Sequence, residues 1–229
     1  MKSVEDEKKK LLLAKWKKII PKEWDEKNKN ERRKYLELYI ENEKYKSEKD
    51  KRGYGRGNHG KEIVEFLKTL DLKSILDVGC GFGNFCNQVT EFIDEVHGAD
   101  IASVCSGNTI ENEKIKFIDS DALSVSLPDK SVDFITSFDC LEHCLEKDID
   151  AIMKNFKRMS RRGFAFSIAY RQAGERSNHG EFLHMTVKPE EWWVEKIQTI
   201  TGAKLTHYTD IPGIGGGHKH LVFLYEQAQ

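Results

Sequence analysis

The stretch that most constrains this chain runs from Ser74 to Asp100, SILDVGCGFGNFCNQVTEFIDEVHGAD. Ser74-Ile75-Leu76-Asp77-Val78 is a short apolar run of the kind that forms a buried parallel strand. It breaks into Gly79-Cys80-Gly81-Phe82-Gly83, a turn that leaves little between backbone and ligand. A helix is predicted from Asn84 to Ile93, then a second strand from Glu95 to Ala99 that ends on Asp100. That acid falls 17 positions after Gly83, close to where a ribose-binding carboxylate is expected.

Strand, glycine turn, helix, strand and terminal carboxylate make one half of a Rossmann-type nucleoside site. The dinucleotide fingerprint would need Gly or Ala where Asn84 stands. Asp77, at the mouth of the turn, would repel a pyrophosphate and suits a ligand whose near end is cationic. S-adenosylmethionine (SAM) carries a sulfonium and an α-ammonium there and no phosphate. The segment Leu76-Asp77-Val78-Gly79-Cys80-Gly81-Phe82-Gly83 resembles the first motif of the class I SAM-dependent methyltransferases.

The resemblance implies an α/β fold: a Rossmann-like, seven-stranded, mostly parallel sheet with helices on both faces, spanning about Lys61 to Glu226. It also implies a SAM site. Asp77, Gly79, Cys80, Gly81 and Gly83 would meet the methionine end, with the carbonyls near Phe138 and Asp139. Asp100 would take the ribose hydroxyls and Ile101 would cover one face of the base. Asp121 with Ala122 matches the family's acidic adenine motif, while Asp119, two residues away, competes for that role. Leu141-Glu142-His143 is similar to a segment of small-molecule methyltransferases of the ubiquinone-biosynthesis type.

The 229 residues are enough for one ample core plus an appendage. Net charge is −1, so the whole-chain field favours neither nucleic acid nor acidic substrates. The charge is uneven, with 18 Lys/Arg against 12 Asp/Glu in residues 1–52. The five cysteines (Cys80, Cys86, Cys105, Cys140, Cys144) form no disulfide framework, and reduced thiols in a cytoplasmic compartment are expected. No apolar run approaches the roughly 18 residues of a membrane span.

Two domains are expected: a helical, charged extension over 1–52, and a methyltransferase domain over 53–229. In the extension, Trp16, Ile19, Ile20 and Trp24, then Tyr35, Leu36, Tyr39 and Ile40, recur at helical spacing on either side of Pro21 and Asn28-Lys29-Asn30. These helices can cap the active site, pack on a second subunit as a homodimer, or lie peripherally on an anionic membrane. The segment Arg52-Gly53-Tyr54-Gly55-Arg56-Gly57-Asn58-His59-Gly60 is either a hinge or a substrate-contacting loop. Further along, strands are predicted over Lys114–Ile118, Ser131–Phe138 and Gly163–Tyr170. A helix is predicted over Glu142–Arg158, and another opens at Pro189. Lys204–Thr209 and His220–Tyr225 read as a closing antiparallel pair joined through Gly213–Gly217.

Methyl transfer from a sulfonium is an in-line displacement dominated by positioning. A hydroxyl acceptor must also lose its proton, for which His143, His179 and His184 are the candidate bases. The substrate-binding candidates are Tyr54, Arg56, His59, Arg171 and Asn178. The long loop after the fifth strand carries Arg171, Arg176, Asn178, His179 and His184 and reads as a hydrogen-bonding pocket. His179, His184, His218 and His220 could gather around an ion, but no helical His-x-x-x-His and no paired carboxylates accompany them, so no metal is expected. No Asp/Asn/Ser-Pro-Pro-aromatic run and no Pro-Cys pair occurs, which disfavours base methylation of nucleic acids. The reading is methyl transfer to a small polar acceptor, a hydroxyl of a sugar, nucleotide-sugar or surface-glycan precursor. Methylation of an amine or phospho-amine, and an RNA-binding module gripping phosphates through the basic N-terminus, remain alternatives.

Overall fold

The structure is a computed structural model that describes residues 33–35, 37–38, 61–102, 109–174, 176–177, 179–210 and 219–226. Its elements in chain order are α1 (Lys61–Thr69), β1 (Ser74–Val78), α2 (Asn84–Val89), β2 (Glu95–Asp100), β3 (Ile115–Asp119) and β4 (Val132–Phe138). A 3-10 turn (Leu141–His143) follows, then α3 (Glu146–Met159), β5 (Ser160–Ser167), α4 (Glu190–Thr201), β6 (Lys204–Asp210) and β7 (Lys219–Leu224). The strands form one seven-stranded sheet in the order β3-β2-β1-β4-β5-β7-β6. The first five in that order run parallel, and β7 lies antiparallel to both β5 and β6.

Period-two alternation divides the apolar strands between two cores. Leu76, Ile135, Phe164, Phe166, Leu221 and Phe223 face the side covered by Ile149, Ile152, Met153 and Phe156 of α3 and by Trp193 and Ile197 of α4. Ile75, Phe134, Ala165 and Val222 face the other side, against Ile63 and Leu67 of α1 and Phe85 and Val89 of α2. Every residue of β1 and β4 is buried, as a strand covered on both faces must be. The strand order reverses at β1 and β4, so the crevice beyond their carboxyl ends is the switch point where such sheets bind ligands.

Several predicted boundaries move, each for a local reason. Helix α2 stops at Val89, where the Thr90 hydroxyl donates back to the Asn87 carbonyl at 2.8 Å. Helix α3 begins at Glu146, not Glu142, because Cys144 and Leu145 are extended. The Glu142 carbonyl is instead taken by the N–H groups of Met185 (2.8 Å) and Thr186 (3.0 Å). Strand β5 begins at Ser160, directly after α3, and ends at Ser167. Residues Ile168 to Tyr170 then turn over the site, with the Ala169 N–H donating to Glu142 Oε1 at 3.1 Å.

Of the N-terminal extension, Arg33, Lys34, Tyr35, Glu37 and Leu38 are described, and they are helical. Leu38, with 1% exposure, joins Ala102 and Leu183 in a small third cluster, against which Tyr35, Phe82, Ile101 and Ala173 pack. The remaining N-terminal positions, the segment from Arg52 to Gly60, Cys105 and the Gly213–Gly217 connection lie outside the described residues. Among the described residues no helix is long and apolar enough to cross a membrane.

Candidate active site

The glycine turn at the end of β1 is built by its own packing. Gly79, Gly81 and Gly83 have φ of 78°, 54° and 87°, conformations that L side chains rarely adopt. A Cβ on Gly79 would stand 2.6 Å from Cys140 Cβ and Sγ, and one on Gly83 would stand 2.5 Å from the Phe117 ring. The turn is stitched to β2 by the Gly79 and Cys80 N–H groups, which donate to the Ala99 carbonyl at 2.8 and 3.0 Å. Cys80 is buried, and its hydrogen bond with Cys86, together with that burial, pushes its thiol well above the ordinary range. It is a packing residue whose N–H belongs to the turn.

Two carboxylates flank this turn. Asp77 is buried and accepts the Thr136 hydroxyl at 2.7 Å and the Cys86 thiol at 3.8 Å. Burial pushes its carboxyl up to about 7, with the Thr136 and Cys86 hydrogen bonds opposing and the Asp100 charge adding to the rise. Asp100 accepts the Gly81 N–H (3.0 Å) on one oxygen and the Ala102 N–H (2.8 Å) on the other. Those bonds hold the carboxylate across the turn, one oxygen on each side. A pair of negative groups on a glycine turn fits a ribose ligand with a cationic arm and opposes a diphosphate.

On the β3 side, Asp121 accepts the Ser124 N–H at 2.6 Å and its hydroxyl at 3.2 Å, closing a local turn. Ala122 is buried beside it, and Asp119 closes β3 in register with Asp100. Ile101 packs in the third cluster with Phe82 and Leu183. At the end of β4 the Phe138 ring turns into the core, edge-on to Phe85 at 4.8 Å, so only its backbone can face the crevice. Asp139 sits at φ 50°, held by its N–H to the Ser167 carbonyl (2.9 Å) and by the Ser167 hydroxyl on its carboxylate (2.6 Å).

Directly after Asp139 the chain gathers three groups that are distant in sequence. Glu142 is fully buried; burial, then the Asp139 charge, raises its carboxyl well above the usual range. The His143 and His184 rings meet edge to face, with centroids 4.8 Å apart. Ligand-type atoms of Glu142, His143 and His184 all lie within 4.8 Å of one another. His143 Nδ1 is 3.0 Å from the Leu183 carbonyl and 2.7 Å from the Tyr35 hydroxyl oxygen. A carbonyl only accepts, so Nδ1 is assigned the proton, shared between the Leu183 carbonyl and the Tyr35 oxygen, and Nε2 the lone pair. The same logic applies to His184, whose Nδ1 faces the Arg171 carbonyl. Burial, then the neighbouring His184, lowers the His143 pKa to about 3, so the ring is neutral in the folded protein.

The other expected contacts are distributed differently. His179, 61% exposed, pairs with Glu37 of the N-terminal helix at 3.2 Å and lies outside the His143–His184 group. Arg171 is exposed and contributes its carbonyl to His184. Arg176 covers the Phe182 ring at 3.8 Å. Tyr54, Arg56, His59 and Asn178 lie outside the described residues. Sequence reasoning missed Glu142 and Tyr35 as members of the site. Glu142 left a trace, an acid beside a histidine at a strand end, whereas Tyr35 looked like one more apolar position on an amphipathic helix.

Residues 76–168 match the sequence profile of the methyltransferase domain family. The chain is 33% identical over 94 residues to phosphoethanolamine N-methyltransferase 2 of Caenorhabditis elegans, covering 37% of this chain and 22% of that protein. It is 31% identical over 85 residues to ajmaline N-methyltransferase of Rauvolfia serpentina, covering 33% and 29% respectively. The chain thus spans less than a third of either curated relative. In fold it resembles the 1,6-didemethyltoxoflavin-N1-methyltransferase of Burkholderia thailandensis, solved with S-adenosylhomocysteine bound. That match has a TM-score of 0.61 and 11% identity, over 90% of this chain and 92% of that one. With this sheet order and this turn, the chain has the fold of the class I SAM-dependent methyltransferases, and within it residues 76–168 match the methyltransferase domain family.

Proposed function

We propose that the methyl group of SAM goes to a hydroxyl of a small polar acceptor, of the sugar, nucleotide-sugar or surface-glycan precursor class. The supporting observation is the group formed by Glu142, His143 and His184 beyond the end of β4. Both imidazoles are held with Nδ1–H on a backbone carbonyl, and His184 is the proton acceptor of the pair, because burial leaves His143 too weakly basic at about 3. A hydroxyl must shed a proton as the O–CH3 bond forms, whereas a neutral amine brings its own lone pair and needs no such group. Asp77, the Gly79–Gly83 turn and Asp100 would hold the SAM, with Asp121 or Asp119 near the adenine and the backbone of Phe138 and Asp139 near the methionine end. Tyr54, Arg56, His59, Arg171 and Asn178 would contact the acceptor.

Amine methylation is the second reading, because the two curated relatives are named as N-methyltransferases. Labelled SAM offered with matched panels of sugars, nucleotide-sugars and amines separates the two. Label on oxygen supports the proposal, and label confined to nitrogen overturns it.

A further inference from the structure

We propose that Glu142, His143 and His184 form a divalent transition-metal site, whose ion binds and activates the acceptor hydroxyl. The site stands on geometry alone. Its use in methyl transfer rests on the hydroxyl-acceptor reading above.

Three acceptor atoms converge here. The Leu183 carbonyl takes the Nδ1 proton of His143, and the Arg171 carbonyl takes that of His184. Both rings therefore offer Nε2 lone pairs, and a ring fixed through its other nitrogen is the usual arrangement of a metal-bound histidine. Glu142 is oriented the same way. Its Oε1 accepts the Ala169 N–H at 3.1 Å, while Oε2, in a residue with 0% exposure, has no hydrogen-bond partner among the described residues. A buried carboxylate oxygen left unmatched beside two imidazole lone pairs is an arrangement that a cation completes.

The dimensions fit a small contraction. Donors about 2.0–2.2 Å from one ion stand roughly 3–3.6 Å apart, and here none of the ligand-type atoms is more than 4.8 Å from another. Glu142 and His143 lie on a short 3-10 turn and His184 on a loop, so the movement falls on segments outside the sheet.

Two imidazoles and one carboxylate favour Mn2+, Fe2+, Co2+ or Zn2+ over Mg2+ or Ca2+, which prefer all-oxygen shells. Three protein ligands leave coordination positions open, as in catalytic rather than structural sites. A hydroxyl bound there would release its proton to bulk water. Its oxygen would then form the new bond to the methyl carbon as the C–S bond breaks, the electron pair staying on sulfur to give the neutral thioether.

Calorimetry and Mn2+ electron paramagnetic resonance on the full chain, stripped with a chelator and titrated with MnCl2 or CoCl2 without acceptor, test the site. About one ion per chain is expected. Glu142→Gln, His143→Ala, His184→Ala and His184→Gln should each weaken binding at least tenfold, and His179→Ala should leave it unchanged. Circular dichroism and S-adenosylhomocysteine binding verify that each variant folds. Failure of the wild-type chain to bind Mn2+, Co2+ or Zn2+ at millimolar concentration overturns the site, as does binding indifferent to His143→Ala and His184→Gln in folded protein. The two proposals fail separately. Metal bound but label only on nitrogen removes the hydroxyl acceptor and leaves the site. Hydroxyl methylation unchanged by chelation removes the metal from the reaction and leaves the acceptor.

Discussion

Asp77 accepts the Thr136 hydroxyl on one oxygen and the Cys86 thiol on the other, and its burial decides how the stability of the fold depends on pH. Its carboxyl titrates near 7 in the folded chain, against an ordinary value of about 3.9 when unfolded. Between roughly pH 4 and pH 7 the folded state therefore holds a proton that the unfolded state has lost, and stability falls as pH rises through that window. Above 7 the charged carboxylate remains, strained by desolvation and by Asp100, and suited to a cationic ligand. Affinity for SAM should accordingly rise between pH 6 and pH 8 in calorimetric titrations. Asp77→Asn keeps an acceptor for Thr136 without the buried charge. At pH 8 that variant should gain about 2–4 kcal/mol in urea unfolding without ligand, yet bind SAM at least tenfold more weakly. A variant that loses stability, or retains full affinity, would contradict this account of Asp77.

The N-terminal helix and the loop between β5 and α4 meet over the site, and one small apolar cluster joins them. Leu38 packs with Leu183, Ala102, Phe82 and Ile101, while the Tyr35 hydroxyl reaches His143 Nδ1 at 2.7 Å. The described residues of this extension thus pack against the loop that carries Leu183 and His184. Removing buried Leu38 methyl groups costs about 2–5 kcal/mol, charged against docking of this helix and not against the sheet. Leu38→Ala should thus abolish hydrogen-exchange protection over residues 33–38 and leave β1 and β4 protected. Tyr35→Phe removes only the hydroxyl, so turnover should drop severalfold with SAM affinity unchanged; an unaltered rate would separate this helix from the chemistry.

Across the whole molecule, one carboxylate ties the central strands together at the end of the sheet opposite the glycine turn. Asp133 accepts the N–H groups of Lys73 (2.8 Å) and Ser74 (3.2 Å) on one oxygen and Arg161 Nε (2.9 Å) on the other, tying β1, β4 and β5 together. Burial alone would raise its carboxyl, but these backbone bonds and the Arg161 guanidinium outweigh it and hold the group below its ordinary value. Its contribution is therefore present above pH 4 and lost as pH falls through the lower, folded pKa. Asp133→Ala strands three donors and should cost about 2–4 kcal/mol in chemical unfolding at pH 7, with SAM affinity intact. The glycine turn with its two flanking carboxylates was legible in the sequence because it is local. One strand, one turn, one helix and one strand bring Asp77, the glycines and Asp100 together within 27 residues, and strand alternation already sorted the apolar residues between two cores. The meeting of Glu142, His143, His184 and Tyr35 was not legible, although both histidines stood out singly. Helical spacing runs back smoothly to Glu142, and only the Met185 and Thr186 N–H groups, arriving from a distant loop, decide that Glu142 and His143 leave the helix and turn inward. Tyr35 lies 108 positions before His143, and Leu183 lies 40 after it. No local pattern encodes such meetings; they exist because the fold returns separate loops to the same end of the sheet.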